Sequence, residues 1–478
     1  MDQRLNFESA RDLATQIKQR KVSVREVMEA HLSQINDVNP KVNAIVSLNE
    51  DIALASASAA DDLLAAGAEV GPLHGLPIVI KDTHNAKGFL TTYGSPIFRD
   101  NTATSDDLLV ERLRAAGAIV IGKSNVPEFA AGAHTFNEVF GVTRNPYNLE
   151  KTAGGSSGGA AVAVTCGMVP FADGSDMGGS LRYPACFNNV VGLRTSPGRI
   201  PYPKASLYSP LGVQGPITRD VKDAAFMLSV MAGPSNRSPL SIEESASLFL
   251  TDFDLDLTGV RVAWSADLGG LIPVDPQIKR NLEEQVKIFN DLGCVVEEAC
   301  PNLNDAEEVF QVLRAYEFEL TYSNLFDRFR ELMKPSFIWN MEKGRKLNAT
   351  TIGRAENLRY QLFNTMRSFF ENYDVLLLPV SQVAPFDADL EYPPSINGVT
   401  MQTYLDWMRS CYYISAAGNP ALSVPSGFTT DGLPLGIQLV GPHRGDYEVL
   451  RIGAAFEEAT GYGKKRPNLA NIKNLNQA

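Results

Sequence analysis

Apolar residues recur every three to four positions through SARDLATQIKQR and SVREVMEAHLSQIN, a spacing that predicts amphipathic helices within residues 1–70, with Ser9 and Ser23 as N-caps. From Leu76 the pattern changes to short, continuous apolar runs, PIVIK, AIVIG and VVGL, set between glycine-rich loops and helical stretches such as SDDLLVERLRAAG. Runs of that length predict strands buried on both faces, in an α/β arrangement. A second set returns at VRVAW, YDVLLLPV, ALSVPSGF and LPLGIQLVG, followed by a closing helix near YEVLRIGAAFEEATG. The strands from the two ends of the chain are therefore expected to share one sheet. Between them, residues 303–373 read as mostly helical. From Phe310 to Tyr373 there are 13 aromatic residues in 64, about twice the chain-wide 9%, enough to line an apolar cleft, with helix core as the competing use of any single ring. No internal repeat or low-complexity linker breaks the pattern, and one domain over 1–478 is expected.

Composition narrows the function classes. Hydrophobic residues make up 44% and charged residues 21% of the chain, which excludes a disordered, collagen-like or coiled-coil protein. The formal net charge is −12 and no basic patch interrupts it, so a nucleic-acid partner is not expected. Cys166, Cys186, Cys294, Cys300 and Cys411 are few, odd in number and scattered, a usage that fits a reducing cytoplasm better than a disulfide framework. The opening MDQRLNFESARDLATQIKQRK has no apolar h-region, so a signal peptide is not expected. The longest weakly polar stretch, Ala160 to Ala172, contains Thr165, Gly167 and Pro170 and is too short to span about 30 Å of hydrocarbon. A cytoplasmic protein without a membrane partner is the expectation, with a homodimer allowed.

Two glycine- and serine-rich loops carry the candidate chemistry: TAGGSSGGA at 152–160 and GSDMGGSLRYPA at 174–185. Flanked by strand-like sequence, they make poor linkers. The first satisfies GxSxG twice, through Ser156 and through Ser157, yet a nucleophile elbow needs a buried strand before it, and RNPYNLEKTA is polar. Its histidine base could only be His443, the sole histidine downstream. Gly117, Gly122, Lys123 and Ser124 match a phosphate-loop string, but the intervening Ala118, Ile119, Val120 and Ile121 read as a strand, not as a cradle of free amides. The histidines at 31, 74, 84, 134 and 443 show no HExxH, and Cys294 and Cys300 lack a second pair, so neither a metal nor a cofactor is expected. What remains is serine with lysine. Lys81 ends the PIVIK run, where burial disfavours the ammonium and a neutral lysine can act as a base; the competing reading is a surface ion pair with Asp82.

Taken together, HGLPIVIKD, GKSNVPEFA, GGSSGG, GSDMGGSLRYPA, VVGLRTSPGRIP and GPITRDVKDAA occur in order between His74 and Ala225, with NPALSVPSGF and LPLGIQLVG later. This pattern resembles the amidase signature family over nearly the whole chain. The resemblance implies one α/β/α domain around a mixed sheet: N-terminal helices over 1–70, a signature core over 73–220 and a variable helical cleft region over 303–373. It implies a catalytic trio of Lys81, Ser156 and Ser180, the two serines 24 residues apart as in that family. It also implies a cis Gly155–Ser156 peptide and an oxyanion hole from the backbone amides of Met177, Gly178, Gly179 and Ser180, with Asp176 and Arg182 supporting the loop. Ser157→Ala is then expected to leave the relay chemically intact and to be milder than Ser180→Ala. The implied activity is hydrolysis of a small-molecule carboxylic amide through a serine acyl-enzyme, with esters and carbamates as further substrates and an apolar acyl or aryl group suited to the aromatic insert. The glutamyl-tRNA amidotransferase branch of the same family, a glutaminase that passes ammonia to a partner, is the nearest alternative, although GLRTSPGRIPYP departs from the LKPTYGRVSRYG typical of that branch. A catalytically silent binding protein on the same fold is the other alternative.

Overall fold

The computed structural model describes residues 5–204, 206–209 and 211–474. Ser9 Oγ accepts the Asp12 amide and opens the helix Ala10–Lys18. Ser23 opens Val24–Val42, where Glu26 reaches back to the Ser23 amide and completes a capping box. Leu13, Ile17, Val27 and Ile35 form the buried stripe of these helices. A short strand that the helical pattern conceals, β1 (Ile45–Leu48), precedes the third helix, Glu50–Ala65.

Ten further strands join β1 in one sheet: β2 (Pro77–Lys81), β3 (Ile119–Ser124), β4 (Phe171–Asp176), β5 (Val191–Arg194), β6 (Val213–Thr218), β7 (Arg261–Trp264), β8 (Val295–Glu298), β9 (Val375–Pro379), β10 (Ala421–Phe428) and β11 (Pro434–Val440). Their spatial order is β1-β3-β2-β4-β6-β5-β10-β11-β9-β7-β8. The sheet is mixed. β3, β2 and β4 run parallel, as do β9, β7 and β8, and the strands between β4 and β9 pair antiparallel. The two ends of the chain meet where β5 pairs β10, with Leu193 opposite Leu422. Both faces are covered: in β9, Val375 and Leu377 enter one apolar core while Leu376 and Leu378 enter the other, the period-two alternation of a strand buried on both sides. At the rim, β8 exposes Val295 but carries Glu297 and Glu298, charges that discourage further strand pairing.

From Ile119 to Ser124 the phosphate-loop string lies in β3, as the apolar run predicts, and Lys123 Nζ donates to His84 O at 2.6 Å and Thr91 Oγ1 at 2.8 Å. Residues 303–373 contain the helices Ala306–Phe329, Pro335–Arg345 and Ala349–Phe369. The first of them packs on the other two and on the helix Arg409–Ala417. No helix among the described residues is long and apolar enough to cross a membrane.

Candidate active site

Parallel pairing of β2 with β4 brings Lys81, Ser175 and Asp176 to the same carboxyl edge, where open sheets place their sites. The tight loop Gly154–Ser157 feeds the buried helix Gly158–Thr165. Gly155 and Ser156 are joined by a cis peptide. Lys81 Nζ hydrogen-bonds with Ser156 Oγ at 2.8 Å, Ser157 Oγ at 2.9 Å and Ser175 Oγ at 2.9 Å. Three hydroxyls thus surround an amine that is fully buried.

Asp82 does not pair with this lysine. It accepts from the amide and hydroxyl of Thr92 and lies 3.7 Å from Lys123 Nζ, which removes the surface ion-pair reading of Lys81. The carboxylate behind Lys81 is Asp173, which accepts the Lys81 amide at 2.8 Å and meets His84 Nδ1 at 2.5 Å. Burial pulls the Lys81 pKa down from 10.5 to about 7, with Asp173 and Asp176 only partly opposing it. Lysine at this position therefore spans its neutral and charged forms near neutrality.

Ser180 stands on the loop between β4 and the helix Arg182–Phe187, and Ser156 and Ser180 line the same cleft. Among the described residues these two hydroxyls form no hydrogen bond with each other. The loop is anchored by Asp176, whose carboxylate accepts the amides of Gly179 at 2.9 Å and Leu181 at 3.2 Å and binds Arg182 through Nε at 3.0 Å and Nη2 at 2.9 Å. Arg194 adds a second guanidinium, at 3.2 Å. Burial would raise this carboxyl, but the two guanidiniums outweigh it and hold its pKa well below the ordinary carboxylate range. Arg194 is itself lowered to about 10 by burial, against the pull of Asp176. One expectation changes here: the Gly179 amide is committed to Asp176, so it is not a free oxyanion donor. Among the described hydrogen bonds the amides of Met177, Gly178 and Ser180 have no acceptor. Gly179 serves the shape of the loop instead. Its φ is +112°, and a Cβ there would sit 2.4 Å from Tyr183 Cε2 and 2.6 Å from Cys411 Cβ.

The cleft has a volume of about 190 Å³, room for a small-molecule acyl or aryl group. Phe310, Phe318 and Tyr322 from the aromatic segment line it, together with Tyr93, Phe129 and Tyr202 from the signature core. The remaining rings divide between roles: Phe326 and Phe337 pack in a cluster with Phe129, and Tyr360 is exposed. Apolar lining was thus legible for part of the insert. Lys204, Arg314 and Glu317 also line the cleft, and no motif marked them. Ser175 was missed as a lysine partner; its signal is the two-residue spacing from Asp173 along β4, which puts both on one face.

His443 packs edge-on against Phe363, with ring centroids 5.6 Å apart, and Ser156 and Ser157 both bond with Lys81, so the geometry gives no serine–histidine pair at GxSxG. Among the described residues no group of three histidine, cysteine or acidic side chains is arranged to hold a metal.

The Amidase family model matches residues 26–450. An acylamidase of Rhodococcus erythropolis is 37% identical over 98% of both chains, and a glutamyl-tRNA(Gln) amidotransferase chain of Geobacillus thermodenitrificans is 34% identical over 96% of this chain and 98% of its own. Among solved structures, a bacterial aryl acylamidase of the amidase signature family superposes with a TM-score of 0.89 at 28% identity, covering 98% of each chain. The family match, the sequence identity and the superposed fold agree, and the chain belongs to the Amidase family.

Proposed function

We propose that the protein is a stand-alone amidohydrolase in which Ser180 attacks the amide carbonyl, Ser156 relays protons and Lys81 is the base. The observation that carries this reading is the 2.8 Å contact between Lys81 Nζ and Ser156 Oγ, on a cleft that Ser180 shares. Neutral Lys81 takes a proton from Ser156 as Ser156 takes one from Ser180, and Ser180 Oγ bonds to the carbonyl carbon. The two serines close their hydrogen bond as the substrate seats, since catalytic contacts commonly tighten only in the complex. Negative charge on the carbonyl oxygen meets the amides of Met177, Gly178 and Ser180, fixed donors that need no reorganisation. When the carbon–nitrogen bond breaks, Ser156 returns a proton to the departing amine and recovers one from Lys81. Water then adds to the acyl-enzyme by the same relay, releasing the acid and regenerating Ser180.

The aromatic lining favours acyl or aryl amides, the class that the names of the acylamidase and aryl acylamidase relatives describe. The amidotransferase reading has the 34% identical relative in its favour, and the same assay separates the two. Purified protein is incubated with anilides, aliphatic amides and glutamine, and the acyl-enzyme is trapped for mass spectrometry. Turnover of anilides by the chain alone, with the acyl mass on Ser180, is expected. Preference for glutamine and dependence on added partner proteins would transfer the assignment to the amidotransferase branch.

A further inference from the structure

One face of the helix Ala306–Phe329 walls the cleft, where Phe310, Arg314, Glu317, Phe318, Thr321 and Tyr322 stand three or four residues apart and so stack along a single stripe. Two members of the stripe are charged, and each is only 5% exposed. Glu317 is accounted for: Lys204 Nζ lies 3.4 Å from its Oε2, and Ser206 Oγ donates to the same oxygen. Arg314 is not. Among the described residues no carboxylate pairs with it; it donates to the neutral Asn340 Oδ1 and also interacts with the neutral Tyr404 hydroxyl. Its guanidinium lies 4.1 Å from the Phe318 ring centroid and 5.5 Å from that of Tyr404, contacts that hold its plane without cancelling its charge. A buried cation is ordinarily paired, and an arginine fork is shaped to take a carboxylate through two parallel N–H bonds.

We infer that Arg314 binds a carboxylate carried by the amide substrate, so that the preferred substrates are amides with an apolar segment and an anionic group. This rests on the amidohydrolase reading and narrows its substrate class. A cationic substrate is the competing arrangement, because Glu317 Oε1 is buried without a partner among the described residues. Lys204 already neutralises that carboxylate, however, and Asp176 is held by Arg182 and Arg194. The surplus charge on the cleft wall is positive, and it sits on Arg314.

The test compares kcat/KM at pH 8 for adipic acid monoanilide, its methyl ester, hexananilide and 5-aminopentananilide. The free acid is expected to exceed the ester and hexananilide by about tenfold or more, as loss of a charge-assisted bond to arginine would dictate. Arg314→Gln should erase this preference and Arg314→Lys should keep part of it, with thermal melts checking that both variants fold. Equal efficiency for acid and ester in the unmodified protein, a preference that survives Arg314→Gln, or the amine as best substrate would each overturn the inference. Hexananilide turnover that survives Ser180→Ala would instead sink the nucleophile assignment. In that case calorimetric binding of adipic monoanilide to Ser180→Ala, with and without Arg314→Gln, still decides the carboxylate site: binding lost with Arg314 supports it, and unchanged binding overturns it.

Discussion

Burial of Lys81 sets the pH response at the scale of single residues. An ordinary lysine would start the relay only far into the alkaline range, whereas desolvation brings this one to about 7, so the ascending limb of amide kcat/KM should be centred near neutrality. Lys81→Ala should lose both this limb and most amide turnover, while retaining more activity on activated esters, whose leaving groups need no proton. Near-unmodified amide turnover with the same profile would refute lysine as the base. The same shift appears in folding. Since the folded pKa lies below the unfolded one, the native state binds fewer protons between about 7 and 10.5. Lys81's contribution to stability therefore rises with pH across that window and is lost as pH falls through about 7, where the ammonium must be buried. Urea unfolding of the protein and of Lys81→Met at pH 6 and pH 9 should show the variant gaining relative stability at the lower pH. Ser180→Ala should abolish amide hydrolysis, and a sulfonyl fluoride should label Ser180 alone. Ser157→Ala is expected to be milder than Ser180→Ala without being silent. Because Ser157 Oγ lies 2.9 Å from Lys81 Nζ, its loss should lower kcat measurably while sparing the label at Ser180. Lys81, Ser156 and Ser180 were named in the sequence by the family resemblance, and the structure puts Lys81 2.8 Å from Ser156 and Ser180 on the same cleft. Ser175 and Arg314 were not so named, since each acquires its meaning from a neighbour far away in sequence.

At the scale of elements, the loop from Asp176 to Arg182 is a rigid turn held by one carboxylate. Asp176→Asn would leave Arg182 and Arg194 buried without their anion, and breaking a buried pair from one side costs about 3–5 kcal/mol. Denaturant midpoints should fall accordingly, and amide turnover with them. Gly179→Ala attacks the same turn sterically: its φ is +112° and the added Cβ meets Tyr183. A loss of about 10²–10³ in kcat is expected if the neighbouring amides are displaced from the oxyanion, comparable to removal of one such donor. Unchanged kcat in Gly179→Ala would mean that the loop does not position those donors. The elements themselves were readable where one rule acts alone. Ser9 and Ser23 cap the helices they precede, and PIVIK is a strand. β1 was not readable, because four residues between two helices, one buried and three half-buried, carry too little periodicity to signal a strand.

The whole molecule closes through β10 and β11, which lie between β5 and β9 and join the early strands to the later ones. A chain truncated after Gly418 would lose both strands and open the sheet at its middle. It should show neither a cooperative thermal transition by circular dichroism nor amide turnover; a folded, active truncation would contradict the shared-sheet architecture. Activity of the intact protein should survive prolonged chelation, because a lysine–serine relay moves its protons without a Lewis acid, and recovery by zinc after loss would overturn that chemistry. Hydrophobic periodicity in the sequence pointed to the α/β class and to buried strands at both ends of the chain, since these follow from local spacing, while Lys81, Ser156 and Ser180 were named by motifs that resemble the amidase signature family. Only the tertiary structure decided that Asp82 faces Lys123 instead of Lys81, that the Gly179 amide belongs to Asp176, and that a charged stripe of the helix Ala306–Phe329 turns into the cleft. Each of these is a choice among competing partners, near or far along the chain, fixed by which groups burial brings within hydrogen-bond reach.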